Sequence, residues 1–375
     1  MENRQMLEEF LELVQIPVHS RSERQIADAV KAKLETLGLE VTEDDTGSKI
    51  GGNAGNIRAV LKGNADCEPL LFSAHMDRVA NNGAIKPIVD EEKQIVHTDG
   101  STILAADDVA GICIILDALR RLKASDKPHG DIEVALSVCE EMGILGGRHF
   151  DFSKFRAKSG FVFDAEGDIG GVMIQAPAKC SYCYKIHGKA SHAGEAPEKG
   201  INAIMLAAKA LTALPAYGRL DEETTLSVGK IEGGLASNIV APNAEFVIDM
   251  RCLNPEKLDI LINDTKKTLT DAVETGGGKI EITMEEGAPA MRVSENDPGV
   301  VFVKEATQKL GLPFKLFSSG GCTDGNYLCG MGLPCVALGT GMDKIHSTEE
   351  CLKEKDLYNL ARLVVEIISA AAKKQ

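Results

Sequence analysis

A chain of 375 residues is about twice the usual domain length, so two domains are expected. Hydrophobic residues make up 44% and charged residues 26%, the balance of a globular protein able to bury a large core. The formal charge of -15 repels polyanions, so neither nucleic acid nor an anionic membrane surface is an expected partner.

The opening segment MENRQMLEEFLELVQIP mixes acids and apolar residues as an amphipathic helix does, unlike a secretion signal. No run reaches the roughly eighteen apolar residues of a membrane span. The ten cysteines are scattered and read as reduced thiols of a cytoplasmic protein. Cys180 and Cys183, the one close pair, lie in a strand-like run without a second pair, so they read as structural.

The first helix, over residues 2–15, stops before Pro17. A second starts from Ser22 as N-cap, carries Ile26, Ala29, Val30, Ala32 and Leu34, and ends at Gly38. Strands are expected over 56–63 and 69–77, then a helix over 108–123 with Val109, Ile112, Leu116 and Leu119 on one side. Strands follow over 131–141 and 160–167. This alternation implies an α/β fold with a mixed, mostly parallel sheet flanked by helices. From residue 180 the pattern becomes strand, helix, two strands, helix and strand, the split βαβ order of an α+β domain. A helix near 300–311, a strand at 333–339 and a long terminal helix restore the first style. The expected division is 1–179 plus 291–375 for the main domain and 180–290 for an inserted one.

Acidic residues and histidines recur where predicted strands end, which is where open parallel sheets bind ligands. His75 and Asp77 are two apart on a strand and point the same way, so Asp77 can orient His75. Asp107 and Asp108 open a helix, Glu140 and Glu141 close a strand, and Asp164 follows another. His346 comes from the last part of the chain. Each has a plainer explanation: an N-cap for the aspartates, a solvated turn for the glutamates, a loop for His346. Together they offer two imidazoles and at least three carboxylates, a donor set suited to zinc, manganese or cobalt.

The segments SAHMD, LAADDVAG, EEMG, FDAEG, GGCTDGN and IHSTEE, in this order, resemble the two-zinc metallopeptidase family of aminopeptidases and deacylases. That family includes peptidase T, glutamate carboxypeptidase and succinyl-diaminopimelate desuccinylase. The resemblance is strongest to the peptidase T group and spans almost the whole chain. It implies two divalent metal ions, zinc first among them. Asp107 would bridge the ions, His75 and Asp164 would bind one, and Glu141 and His346 the other. Asp77 would orient His75, Glu140 would be the general base, and a cis peptide would join Asp107 to Asp108.

The resemblance makes 180–290 a lid and dimerisation domain of a homodimer, hinged near its two ends. There His192 would stabilise the oxyanion in a neighbour's site, and Asn238 and Arg251 would hold the peptide. A loop position for His192 and a surface position for Arg251 are the plainer alternatives. Val109 and Arg78 depart from the pattern, where many relatives carry lysine and a small residue or threonine. The implied activity is hydrolysis of the N-terminal residue of short peptides. The alternative is an N-acyl amino acid deacylase or carboxypeptidase of the same family. Asp324 in GGCTDGN acquires no role from the sequence.

Overall fold

The structure, a computed structural model, describes residues 2–81 and 83–373. The chain divides into two compact units, Met1–Ala176 with Met291–Gln375, and Pro177–Ala290. The first unit begins with helices α1 (Glu2–Val14) and α2 (Arg24–Thr36), strand β1 (Glu40–Glu43) and the short α3 (Thr46–Ile50). Strands β2 (Ile57–Leu61), β3 (Leu70–His75), β4 (Ile88–Asp90) and β5 (Ile95–His97) follow, then α4 (Ala106–Lys123), β6 (Ile132–Ser137) and α5 (Leu145–His149). Strands β7 (Ser159–Ala165) and β8 (Gly171–Ala176) complete its first segment.

The second unit contains β9 (Ala178–His187), α6 (Ala203–Ala213), β10 (Gly218–Arg219), β11 (Thr224–Gly233), β12 (Asn243–Cys252), α7 (Pro255–Thr275) and β13 (Lys279–Ala288). The chain then returns to the first unit through β14 (Met291–Arg292), α8 (Pro298–Leu310), β15 (Lys315–Ser318), α9 (Asp324–Gly330), β16 (Cys335–Gly339), β17 (Met342–Asp343), β18 (Cys351–Lys353) and α10 (Glu354–Ala371).

The main sheet of the first unit runs β1-β2-β6-β3-β7-β16-β8-β14, with β15 beside β8. Its centre, β6-β3-β7-β16, is parallel, and β1 and β2 join antiparallel at one edge. Parallel strands covered on both faces read as unbroken apolar runs, and β3, β6 and β16 are buried at every position. Phe72 of β3 packs on Phe161 and Phe163 of β7, with ring centroids 5.9 and 5.7 Å apart. A small sheet, β17-β18-β5-β4, joins residues near 90 to the segment around His346.

The second unit is an antiparallel sheet, β10-β11-β12-β9-β13. Strand β12 buries alternate residues, Phe246, Ile248 and Met250 among them, in one core with Leu206 of α6 and Leu269 and Val273 of α7. Among the described residues no helix is long and apolar enough to cross a membrane.

Ser22 is not the N-cap expected of it. Glu23 holds that position, and its side chain accepts from the amides of Arg21 and Cys139 instead of capping α2. Ala29 and Ala32 lie outside the buried stripe, which takes Ala27 with Ile26, Val30 and Leu34. Cys180 and Cys183 are buried free thiols on β9. Neither joins a metal-binding group among the described residues.

Candidate metal centre

Because β3, β6 and β7 are parallel, their carboxyl ends lie at one edge of the sheet. His75 is the last residue of β3, Glu140 and Glu141 follow β6 in a turn, and Asp164 is near the end of β7. Asp107 and Asp108 open α4, and the peptide between them is cis. Gly111 lets that helix approach, since a Cβ there would lie 2.6 Å from the carbonyl oxygen of Phe163. His346 arrives from the connection between β17 and β18.

These residues converge. His75 Nε2 lies 3.0 Å from Asp107 Oδ1 and 3.8 Å from Asp164 Oδ1. His346 Nε2 lies 3.0 Å from Asp107 Oδ2 and 2.9 Å from Glu141 Oε1. The two oxygens of Asp107 therefore face the two histidines, one each. Donor atoms of His75, Asp107 and Glu141 lie within 4.8 Å of one another, as do those of His75, Glu140 and Asp164.

Asp77 serves both His75 and the acidic turn. His75 Nδ1 is 3.1 Å from its carbonyl oxygen and 3.4 Å from Oδ1. A proton on Nδ1 leaves Nε2 as the free donor atom. The Asp77 carboxylate also accepts from the amides of Glu140 and Glu141, at 2.8 and 3.3 Å, and from the Ser20 hydroxyl at 2.6 Å.

The charges are crowded. Burial pushes Glu140 well above the usual carboxylate range, Asp324, Glu141 and Asp77 add to this, and His75 opposes it. Burial and the neighbouring Asp107 do the same to Asp164. Asp107 goes the other way: burial resists, but hydrogen bonds from His346 and His75 hold its carboxyl low. The bonds to Asp107 and Glu141 push His346 up to about 10. A divalent cation would offset this crowding of carboxylates, and imidazole nitrogen with carboxylate oxygen is a donor set that zinc, manganese and cobalt accept. The residues fit metal ions.

Some features that shape the site had no role assigned from the sequence. Glu350 is buried, and its carboxylate accepts from the amides of Leu104, Ala105 and Asp107 at 2.8, 2.8 and 3.1 Å. It thereby ties the His346 segment to the loop that presents Asp107. Ala105, Cys139 and His346 all have left-handed backbones, at φ 60°, 51° and 62°, beside or within the site. Such residues persist where their surroundings over-determine them. Asp324 is buried behind the acidic turn and accepts from the Ser137 hydroxyl, and burial pushes it up to about 6.

The remaining candidates are in the second unit. The Nδ1 of His192 accepts from the amides of Gly194 and Glu195, at 3.2 and 3.1 Å. An accepting Nδ1 places the ring proton on Nε2. Asn238 is adjacent, since its carbonyl oxygen accepts from the amide of Ala193 at 3.0 Å. Arg251 is distant from both within this unit. It pairs in register with Lys179 at the far end of β12 from Asn243, and its Nε donates to Asp249 at 2.8 Å.

The family described as peptidase family M28 matches residues 56–175, and that described as a peptidase dimerisation domain matches residues 179–276. Peptidase T of Escherichia fergusonii is 30% identical over 75% of this chain and 69% of its own. The solved structure of aminopeptidase PepT from Bacillus cereus is 36% identical, with 99% of each chain covered and a TM-score of 0.89. A tripeptidase structure from Staphylococcus aureus is 34% identical, again over 99% of each chain, with a TM-score of 0.93. With these similarities joined to the convergence of acids and histidines, the chain belongs to the peptidase T family of metallopeptidases.

Proposed function

We infer that this protein is a metal-dependent aminopeptidase that releases the N-terminal residue of tripeptides. The observation that carries the reading is the Asp107 carboxylate, with one oxygen facing His75 and the other facing His346. That division supports a pair of ions, taken here as zinc. His75 and Asp164 would hold one and His346 and Glu141 the other, with Asp107 between them. Bound divalent ions lower the pKa of a coordinated water to about 7 and polarise the scissile carbonyl.

Glu140 acts as the base. It is 8% exposed and its backbone is fixed by Asp77. An unpaired carboxylate in such surroundings has a raised proton affinity, which favours taking a proton from water and returning it to the leaving amine. His192, with its proton on Nε2, would donate to the oxyanion in a neighbour's site. Asn238 lies beside it and would hold the peptide backbone, while Arg251 would bind a carboxylate in exchange for Asp249. The matched dimerisation domain and the exposed apolar residues Met205, Ile231 and Leu235 of the second unit support a homodimer. The free state of all ten cysteines suits a reducing cytoplasm.

The named relatives favour the aminopeptidase over the deacylase or carboxypeptidase. Metal-stripped protein, reloaded with zinc, manganese or cobalt, should release free N-terminal residues from unblocked tripeptides and leave N-acetylated ones intact. Cleavage of the blocked peptides alone would reverse the assignment.

A further inference from the structure

A cavity of about 690 Å³ lies beside the connection from α1 to α2. His19, Arg24, Gln25, Asn53, Arg78 and Asn81 are among the residues lining it, and no carboxylate lines it among the described residues. In a chain of net charge -15, a cavity with two arginines and no acid is a local reversal of sign. Arg24 is already engaged by Glu43 and Asp28. Arg78 is not engaged in this way.

Arg78 is 2% exposed. Its Nη1 donates to the carbonyl oxygen of Val14 at 2.9 Å. Its Nε and Nη2 are buried and have no hydrogen-bond partner among the described residues. The nearest acids are spoken for. Asp77 accepts from Ser20 and from two amides, and Glu350 accepts from three. A guanidinium keeps its charge even when buried, and leaving it unpaired is costly.

The two vacant nitrogens carry a chemical instruction. Nε–H and one Nη2–H point in parallel from one side of a guanidinium, and this fork matches two oxygens of a carboxylate or phosphate. Asn53 gives its Oδ1 to the amide of Arg24, which leaves its NH2 group to donate, and Gln25 offers a second amide. Arg78 also stands where the family resemblance implies a small residue or threonine, so the site would belong to this chain and not to the shared catalytic machinery. We propose that this cavity binds a small oxyanion, a carboxylate or a phosphate, through the side-on fork of Arg78.

The test uses the full-length, metal-loaded protein at fixed ionic strength. Inorganic phosphate and succinate are titrated while thermal unfolding and calorimetric heat are followed. The expected result is saturable binding that raises the melting temperature. Arg78→Met keeps the bulk and removes the fork, so it should weaken binding by about 10–100-fold, the worth of hydrogen bonds to a charged group. Gln25→Ala with Asn53→Ala leaves Arg78 in place and should weaken it less, and this pair carries the test if Arg78→Met does not fold. Phosphate bound at the metal centre would stabilise wild type and Arg78→Met alike, so equal shifts overturn the proposal, as does a wild type that ignores both anions. Tripeptides carrying glutamate or glutamine separate the two sources of the oxyanion. If it rides on the peptide, the ratio of KM for the glutamate peptide to that for the glutamine peptide rises in Arg78→Met. If it is a free ion, that ratio stays constant while phosphate binding is lost.

Discussion

Replacing Glu350 by alanine asks whether the loop that presents Asp107 is held from the His346 side. Glu350 is 1% exposed, and its two oxygens accept from the amides of Leu104, Ala105 and Asp107. Alanine leaves three buried N–H groups without an acceptor. Each orphaned group costs about 1–3 kcal/mol, and water entering the vacated space answers part of that, so a loss of about 3–5 kcal/mol is expected. Glutamine keeps the volume and one oxygen. That oxygen can serve Leu104 and Ala105 as Oε2 does, but the amide NH2 then faces the N–H of Asp107. Glu350→Gln should therefore cost about 1–3 kcal/mol. Ala105, left-handed at φ 60°, makes the loop prone to relax once released. Asp107 sits between both donor groups, so its displacement should weaken metal binding by about 10–100-fold, the usual effect of losing a group that orients a ligand. Urea unfolding of metal-stripped protein reads the stability, and competition with a chelating dye reads the affinity. The order expected in both is wild type, then Glu350→Gln, then Glu350→Ala. An alanine variant that binds metal as tightly as wild type would refute the reasoning.

Other expectations follow from the same geometry. Glu140→Gln should keep its metal, because the amides that fix the turn are unchanged, yet lose about 10²–10⁴ in kcat; metal analysis beside steady-state rates checks both halves. His346→Ala removes a donor 3.0 Å from Asp107 and 2.9 Å from Glu141, so the metal stoichiometry of the reloaded protein should fall, which metal analysis checks. Glu43, away from the site, is opposed by burial but receives hydrogen bonds from Arg24, the Gly55 amide and Lys31 that bring its carboxyl down to about 2. A carboxyl more acidic in the folded chain stabilises it above the unfolded value of 4.5, and this contribution is lost as pH falls toward 2. Discounted for the partial exposure of Arg24, it is worth about 1–2 kcal/mol at pH 7. Glu43→Gln should show that deficit in urea at pH 7, shrinking by about half at pH 4; a deficit independent of pH would exclude the ionic origin.

What was legible in the sequence was local. Strands β3 and β6 announce themselves as apolar runs because both faces are covered, and the motif SAHMD ends its run where the sheet ends. The split βαβ order of the second unit follows from the alternation seen in β12. Strands β4, β5, β17 and β18 have two or three residues each, too few for a period, and they exist only because each supplies the other's hydrogen bonds.

The polar clamps were illegible for a different reason. Glu23 looks like part of a helix start, and only the fold reveals that it grips the Cys139 amide, 116 residues away. Ser20 reaches Asp77 across 57 residues, and Glu350 reaches Leu104 across 246. A glutamate before a terminal helix has the same local pattern whether it faces water or closes on three amides. Asp77 makes the point within a residue that the sequence did single out. Two-residue spacing explains why it can orient His75. Its second task, accepting the amides of Glu140 and Glu141, depends on a turn 63 residues later being folded against it. The donors of a metal site can be read from residue type and order, but the groups that fix those donors are chosen by tertiary contact. They are therefore where substitutions should separate metal affinity from the ligand set itself.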